Sequence, residues 1–255
     1  MSDNRIIIGL HPVRELLRAG RKVHDIAVAD TRSDSEVFDD LVARAAARRV
    51  PVRRIPRDDL DRLAEGLVHQ GVVATAPAFA YQELEAVLER AEKAGEVPLL
   101  VALDGVTDPH NLGSICRTAE AIGAHAVLVP GRRAVHVTPT AEKAAAGALA
   151  HLPVVRIGNL VKTMRALADR PVWSLGLDAD ASVELASCNL ASEPVILVVG
   201  AEGKGLARLT RDACDQLVKL PMRGQIASLN ASVAAAVALY AIDGVRSKNL
   251  RPDGR

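Results

Sequence analysis

Six short runs of nearly uninterrupted apolar residues dominate the second half of the chain: Leu99 to Leu103, Ala126 to Pro130, Pro153 to Ile157, Val172 to Leu177, Val195 to Gly200 and Leu217 to Pro221. A strand with one face in solvent alternates apolar and polar residues, whereas a strand covered on both faces does not. Runs of this kind, separated by lengths sufficient for helices, predict parallel strands joined by crossover helices, so the expected fold class is α/β with a parallel sheet. In an open sheet of that type ligands bind beyond the carboxyl ends of the strands, which directs the search for function to the loops after each run.

The front of the chain is also α/β but on a smaller scale. Short β-like runs at Arg5 to Ile8, Asp25 to Ala29, Val50 to Ile55 and Gly71 to Ala76 alternate with helical ones at Val13 to Arg18, Ser35 to Arg49 and Asp58 to Ala64. Residues 77–97 then change character, with five Glu against Arg90 and Lys93, between Pro77 and Pro98, and Gly95 near the close. That composition reads as a helical linker. The expected organisation is therefore an α/β domain over 1–76, a linker over 77–97 and the parallel-sheet domain over 98–255. No fixed repeat is visible, and the last eight residues, Lys248 to Arg255, read as a frayed end.

Composition narrows the function classes. With 255 residues, 49% of them hydrophobic, the chain can bury a core and is not disordered. Its 32 basic and 31 acidic residues leave a net charge of +1, so any nucleic-acid contact must come from a local patch rather than from an overall field. Aromatic residues make up only 2%, too few for a sheet of base-stacking rings such as RRM and OB modules use. The three cysteines, Cys116, Cys188 and Cys214, are dispersed with no CxxC pair, which argues against a disulfide framework and against a zinc site; no metal is expected. No apolar stretch approaches the roughly 18 to 20 residues of a membrane span, and the expected location is the cytoplasm.

Four segments carry candidate chemistry. Arg44, Arg48, Arg49, Arg53, Arg54 and Arg57 fall within fourteen positions that hold no acid, a candidate RNA-binding face; a solvated helix end followed by an edge strand accounts for them equally well. After the first apolar run comes the stretch from Asp104 to Glu120, where Leu112, Ile115, Cys116 and Ala119 follow helical spacing and Ser114, Arg117 and Thr118 share a polar face. Near a helix start such a face suits a phosphate, while a surface ion pair is the plainer reading of Arg117. Gly200-Ala201-Glu202-Gly203-Lys204-Gly205 has the spacing G-x-x-G-x-G, which matches neither the dinucleotide nor the P-loop signature. It describes a tight strand-to-helix turn with Glu202 exposed or capping. Last, a polar loop runs from Pro221 to Asn230 ahead of the apolar helix Val233 to Ile242, with Ser228 as a plausible N-cap.

Taken together, and in this order, the last three segments resemble the three motifs of the SpoU/TrmH-type RNA ribose 2'-O-methyltransferases of the SPOUT superfamily. The residues that carry the resemblance are Asp108 to Ala119, Val198 to Leu206, and Leu220-Pro221-Met222 with Ser228 to Ser232. Ile8 to Leu17 and His69 to Ala74 are similar to the ends of the L30e-like substrate-binding domain that precedes the catalytic domain in the ribosomal RNA branch, so the resemblance spans nearly the whole chain. It implies an L30e-like RNA-binding domain over 1–76 and a catalytic domain over 98–255 with a C-terminal trefoil knot. It further implies S-adenosyl-L-methionine as cofactor, large-subunit ribosomal RNA as partner and a homodimer. By position, Gly200, Leu220, Met222, Ser228, Leu229 and Asn230 match the cofactor-binding set, and Asn111, Arg117, Glu202, Ser228 and Asn230 match the polar catalytic set. The branch it most resembles methylates a guanosine ribose in the peptidyl-transferase P-loop of 23S rRNA. The thiostrepton-resistance type, which modifies an adenosine ribose, is the alternative, and a non-catalytic ribosome-assembly factor on the same scaffold is a second. Nothing in the residue spacing itself implies a knot.

Overall fold

The computed structural model describes residues 4–32, 35–131, 134–225 and 228–250. Its contacts divide the chain into two compact units, 1–80 with 137–151, and 81–136 with 152–255. In the first unit β1 (Asn4–Ile8), α1 (Leu10–Arg18), β2 (Asp25–Ala29), α2 (Glu36–Ala47), β3 (Val52–Ile55), α3 (Arg57–Leu63) and β4 (Val72–Pro77) follow in order. The sheet order is β1-β4-β2-β3, with β4 antiparallel to both neighbours and β2 parallel to β3. Period-two alternation sorts its side chains between two cores. Ile7, Ile26, Val28, Val72 and Ala74 pack with α1 and α2, whereas Ile8, Ala27 and Val73 pack with Leu60 and Ala64 at α3. Ser35 accepts a hydrogen bond from Phe38 N and so starts α2 one residue later than the sequence boundary.

The second unit opens with α4 (Leu84–Ala94), which lies inside the stretch expected to be a linker. Its Val87, Leu88 and Ala91 are buried, and Gly95, at φ 67, ends it. After it come β5 (Leu99–Asp104), α5 (Pro109–Ala121), β6 (Ala126–Pro130), α6 (Pro139–Ala145), β7 (Val154–Ile157), α7 (Leu160–Ala168), β8 (Trp173–Leu177), β9 (Val183–Glu184), β10 (Val195–Gly200), α8 (Arg208–Ala213), β11 (Gln216–Lys219) and α9 (Ala231–Leu250). Of these, α6 and the 3-10 turn at Ala148–Ala150 belong to the first unit, where α6 packs on β1. Seven strands pair in the order β7-β6-β5-β10-β8-β11-β9, parallel throughout. All six apolar runs are strands in it. The two-residue β9 has no counterpart among the sequence expectations because it is too short to show a pattern.

The uninterrupted apolar character of these strands has the expected cause. On one face Leu100, Ala102, Leu128, Ile196 and Val198 pack against Val87 and Leu88 of α4 and Leu160, Met164 and Leu167 of α7. The alternate residues Val101, Leu103, Val127, Leu197 and Val199 are buried too, on the face covered by α5 and α9. Of the end expected to fray, 248–250 continue α9 and 251–255 lie outside the described residues. Among the described residues no helix is long and apolar enough to cross a membrane, and no group of His, Cys, Asp or Glu could hold a metal ion.

Candidate active site and cofactor pocket

Strand order reverses direction between β5, which leads on to β6 and β7, and β10, which leads to the β8 side. A cavity of about 470 Å³ opens beyond the carboxyl ends of β10, β8 and β11, formed by the loops that follow all three. The loop after β10 explains the glycine spacing position by position. A Cβ on Gly200 would sit 2.2 Å from the carbonyl carbon of Gly205 and 2.5 Å from Leu206 N, so only glycine admits this approach of two backbone segments. Gly203 and Gly205 have φ of 72° and 63°, the left-handed region that favours glycine. Ala201 and Gly205 exchange backbone hydrogen bonds of 3.0 and 2.8 Å, and the Asp104 carboxylate at the end of β5 accepts from Ala207 N at 2.7 Å. The turn is thereby a rigid, closed ring of peptide groups facing the cavity.

The remaining wall combines apolar and acidic groups. Leu220, Met222 and Leu229 supply the apolar surface, Ser228 adds a hydroxyl, and Glu202 is exposed at the rim. Asn230 donates from Nδ2 to Glu202 Oε2 at 3.1 Å and accepts through Oδ1 from Ser232 N and Ser232 Oγ at 2.9 and 2.7 Å. It therefore caps α9, the role expected for Ser228; the helix begins at Ala231, two residues before the expected apolar run from Val233, and Ser228 instead lines the cavity. Ile226 and Ala227, in the same loop, lie outside the described residues. The sequence reading missed Leu177, Asp178, Asp180 and Arg211, which also line the cavity. Asp178 Oδ2 and Arg211 Nε are 2.9 Å apart. The signal for Asp178 and Asp180 was available, since they follow the end of a predicted strand whose last residue is Leu177.

The α5 residues are arranged differently. Asp108 caps α5 by accepting from His110 N at 2.8 Å. Asn111, in the first turn, is 6% exposed. Arg117 lies eight residues beyond Pro109, about 12 Å along the axis from the helix start. A phosphate held by Arg117 would therefore draw on its guanidinium more than on the free N–H groups of the first turn. Six positions apart on a helix, Asn111 and Arg117 do not share a face. Arg117 is exposed and has no ion pair or hydrogen bond among the described residues, so the surface-pair alternative does not describe it. Neither residue lines the cavity, whereas Gly200, Glu202, Leu220, Met222, Ser228 and Leu229 all do. Thr118 spends its hydroxyl on Ser114 O at 3.2 Å. The thiols of Cys116 and Cys214 are pushed up to about 12 by burial, which leaves them inert at neutral pH.

Cavities that hold small molecules are largely apolar with a few placed polar groups. This one adds the carboxylates of Asp180 and Glu202, suited to a cationic guest, while Asp178 is paired with Arg211 and Lys204 also lines the wall. The donor set fits S-adenosylmethionine. In the first unit the arginine cluster is divided. Arg44 is paired with Asp40 at 2.8 Å and Arg53 with Asp25 at 2.9 Å, and Arg54 leans over the Phe38 ring at 5.8 Å.

Comparison with known proteins accounts for both units. The SpoU rRNA methylase family model matches residues 98–240, and the model for the substrate-binding domain of RNA 2'-O ribose methyltransferases matches residues 6–82. The 23S rRNA (guanosine-2'-O-)-methyltransferase RlmB of Pseudomonas syringae pv. tomato is 44% identical over 256 residues, which cover 99% of this chain and 100% of that one. An uncharacterized tRNA/rRNA methyltransferase of Mycolicibacterium paratuberculosis is 43% identical over 245 residues, 96% of this chain and 78% of that one. Among solved structures, the SpoU methyltransferase AviRb from Streptomyces viridochromogenes, in complex with its cofactor AdoMet, superposes with a TM-score of 0.79 at 27% identity, covering 96% of this chain and 91% of that one. This chain belongs to the SpoU/TrmH family, and it is an S-adenosylmethionine-dependent RNA ribose 2'-O-methyltransferase.

Proposed function

We propose that the protein methylates the 2'-oxygen of one guanosine in the P-loop of the peptidyl-transferase centre of 23S rRNA. The observation that carries this reading is the end-to-end similarity to the Pseudomonas syringae guanosine methyltransferase, which spans both the substrate-binding and the catalytic segments. The proposal includes an RNA-binding domain over 1–76, a catalytic domain over 98–255, a knotted C-terminal path and a cytoplasmic site of action. A homodimer belongs to it as well. Val233, Val237 and Tyr240 are 47%, 46% and 60% exposed at helical spacing along α9, an apolar stripe suited to a second copy.

When bound, S-adenosylmethionine supplies a methyl group on a sulfonium for displacement by the ribose oxygen. Gly200, Leu220, Met222, Ser228, Leu229 and Asn230 hold it, largely through backbone and apolar surface, and Glu202 complements its charge. The residues of the chain have to hold the hydroxyl about 3 to 3.5 Å from the reacting carbon and to manage its proton. Arg117 is a poor base, since a guanidinium keeps its proton to above about pH 12. It fixes the phosphate beside the target ribose and stabilises the developing alkoxide, while the hydroxyl proton leaves late or passes to that phosphate. Asn111 orients the ribose from the same helix, and Glu202, Ser228 and Asn230 complete the set.

The test is incubation of the purified protein with methyl-labelled cofactor and unmodified large-subunit rRNA, with 2'-O-methylation mapped by resistance to alkaline cleavage. One protected guanosine in the P-loop supports the proposal. Protection in the GTPase-centre loop selects the thiostrepton-resistance type, and no protection despite cofactor binding rejects the assigned substrate. Arg117→Ala is expected to lose turnover while cofactor affinity stays unchanged; loss of cofactor binding would contradict its assignment to RNA.

A further inference from the structure

A second cavity, of about 320 Å³, lies in the first unit where the chain leaves β2 and where it enters β4. Its walls hold Thr31, Arg32, Ser35, Arg57, His69 and Gln70, with no carboxylate among the described lining residues. The cavity is held open by a short chain of contacts. Gly71 N donates to His69 Nδ1 at 2.9 Å, which puts the ring proton on Nε2, and Nε2 donates to Asp61 Oδ1 at 2.8 Å. His69 is 4% exposed, so the ring is a fixed post beneath the turn. Gln70 is held at φ 52° and Gly71 at φ 77°. The second favours glycine: besides the backbone angle, a Cβ there would come within 3.1 Å of Arg32 Nη1, which would have to shift. Arg32 is locked across the turn, donating to Gln70 O and stacking 5.1 Å from the centre of the Phe38 ring.

What these contacts leave unused defines the guest. Among the described residues Arg32 has no acidic partner, and its Nε is buried without an acceptor. Arg57 has no ion pair or hydrogen bond among the described residues, in contrast to Arg44 and Arg53 of the same sequence cluster, which are already paired. Among the described residues the Thr31 hydroxyl and the Gln70 side-chain amide are likewise unengaged. Two uncompensated guanidinium charges beside an amide and a hydroxyl, in a recess, suit one phosphate and one base edge together; flat duplex backbone would use only the charges.

We propose that this recess receives a single unstacked nucleotide of the substrate RNA, its phosphate between Arg32 and Arg57 and its base edge read by Gln70 and Thr31. The proposal rests on the reading of the first unit as RNA-binding. It locates recognition of the RNA in a nucleotide pocket, with only Arg57 drawn from the six-arginine cluster.

The experiment measures binding of the full-length protein to a large-subunit rRNA fragment, without cofactor, over a range of salt. Arg57→Ala is expected to weaken binding about tenfold and to lower the slope of log K against log salt by about 0.7 to 0.9, one phosphate contact. Gln70→Ala, which removes no charge, weakens binding with the slope unchanged. Arg53→Ala stays within about twofold of the parent, its guanidinium being already engaged. In methyl transfer, both pocket variants raise KM for RNA and leave kcat and cofactor affinity as they were. Arg57→Lys, which retains the charge, recovers most of the slope and keeps folding from explaining the loss. The proposal is overturned if Arg57→Ala and Gln70→Ala bind like the parent, or if the parent itself has no affinity for the RNA. Pocket-dependent binding without methyl transfer leaves the pocket standing and rejects the guanosine assignment alone.

Discussion

Replacing Gly200 by alanine is the sharpest test of how the cofactor cavity is built. The added methyl would lie 2.2, 2.4 and 2.5 Å from Gly205 C, Gly205 O and Leu206 N, three backbone atoms with no rotamer to escape through. Restoring ordinary contact requires the two strands of the turn to part by roughly an ångström, in a structure that packs at crystal density. Neither side can give easily. Gly200 is in register with Asp104 at the end of β5, and the far side is tied by the Ala201–Gly205 bonds and by Ala207 N to Asp104. Overpacking costs about 1 to 3 kcal/mol where side chains can yield, and the upper end applies here. For a chain of this size about 3 kcal/mol corresponds to a melting-point loss of roughly 6 to 12 °C. Because the displaced peptide groups line the cavity, cofactor affinity measured by calorimetry falls about tenfold or more. Gly203→Ala is the control: φ is 72° but nothing lies within 4 Å of the new methyl. It costs only the left-handed strain of about 1 to 2 kcal/mol, and affinity changes little. A Gly200→Ala protein with parental melting and parental affinity would refute the close approach.

Three further outcomes follow from named contacts. Arg246 donates to four carbonyls, Ala191 O, Val97 O, Pro98 O and Glu193 O, at 3.2, 3.0, 3.0 and 2.6 Å, fastening α9 to the strand entrances; Arg246→Met should cost about 2 to 4 kcal/mol in urea unfolding, with Arg246→Lys recovering part. Burial raises the Glu142 carboxyl to about 7 despite its pairing with Arg5. The folded state therefore holds a proton that the unfolded chain has released. The contribution is full below about pH 4.5 and is lost as pH rises through 7, so stability falls by roughly 1 to 3 kcal/mol between pH 5 and 8 on this account. Glu142→Gln should flatten that slope in urea titrations at the two pH values; an unchanged slope would assign it elsewhere. Asn230→Asp keeps the cap on α9 but sets a carboxylate against Glu202, so melting should stay within about 1 kcal/mol of the parent while methyl transfer drops; equal activity would show that the amide donor is dispensable.

Legibility followed the range of the interaction. The buried parallel strands could be read because burial on both faces is written into each strand's own residues, as in Val195 to Val199. The glycine turn was partly legible: its three glycines stood out, but only coordinates separate Gly200, excluded by a neighbouring backbone, from Gly203 and Gly205, required by φ. Choosing between Ser228 and Asn230 as the cap of α9 was beyond local pattern, since both residue types cap well and both precede the apolar run. The side chain that reaches Ser232 N decides it. For the arginine cluster the sequence shows charge but not pairing: Asp40, which holds Arg44, and Asp25, which holds Arg53, both lie outside the acid-free window.

The segment 137–151 carries that reasoning to its limit. Placed between two neighbouring strands of a parallel sheet, it has the position of an ordinary crossover, and its alanines show little contrast for a period to appear in. Yet its contacts are with the first unit. Ala150 joins the core beside α1 and α2, Arg21 Nε donates to Ala150 O at 2.9 Å, and Glu142 meets Arg5, 137 positions away. A glutamate in an alanine run reads as solvent-facing, because an unpaired buried carboxylate would cost several kcal/mol. Only a partner of opposite sign, brought in by a strand at the other end of the domain, makes its burial tolerable. A pairing of that separation leaves no trace in either neighbourhood, so chain order assigns the segment to one unit and contact chemistry assigns it to the other.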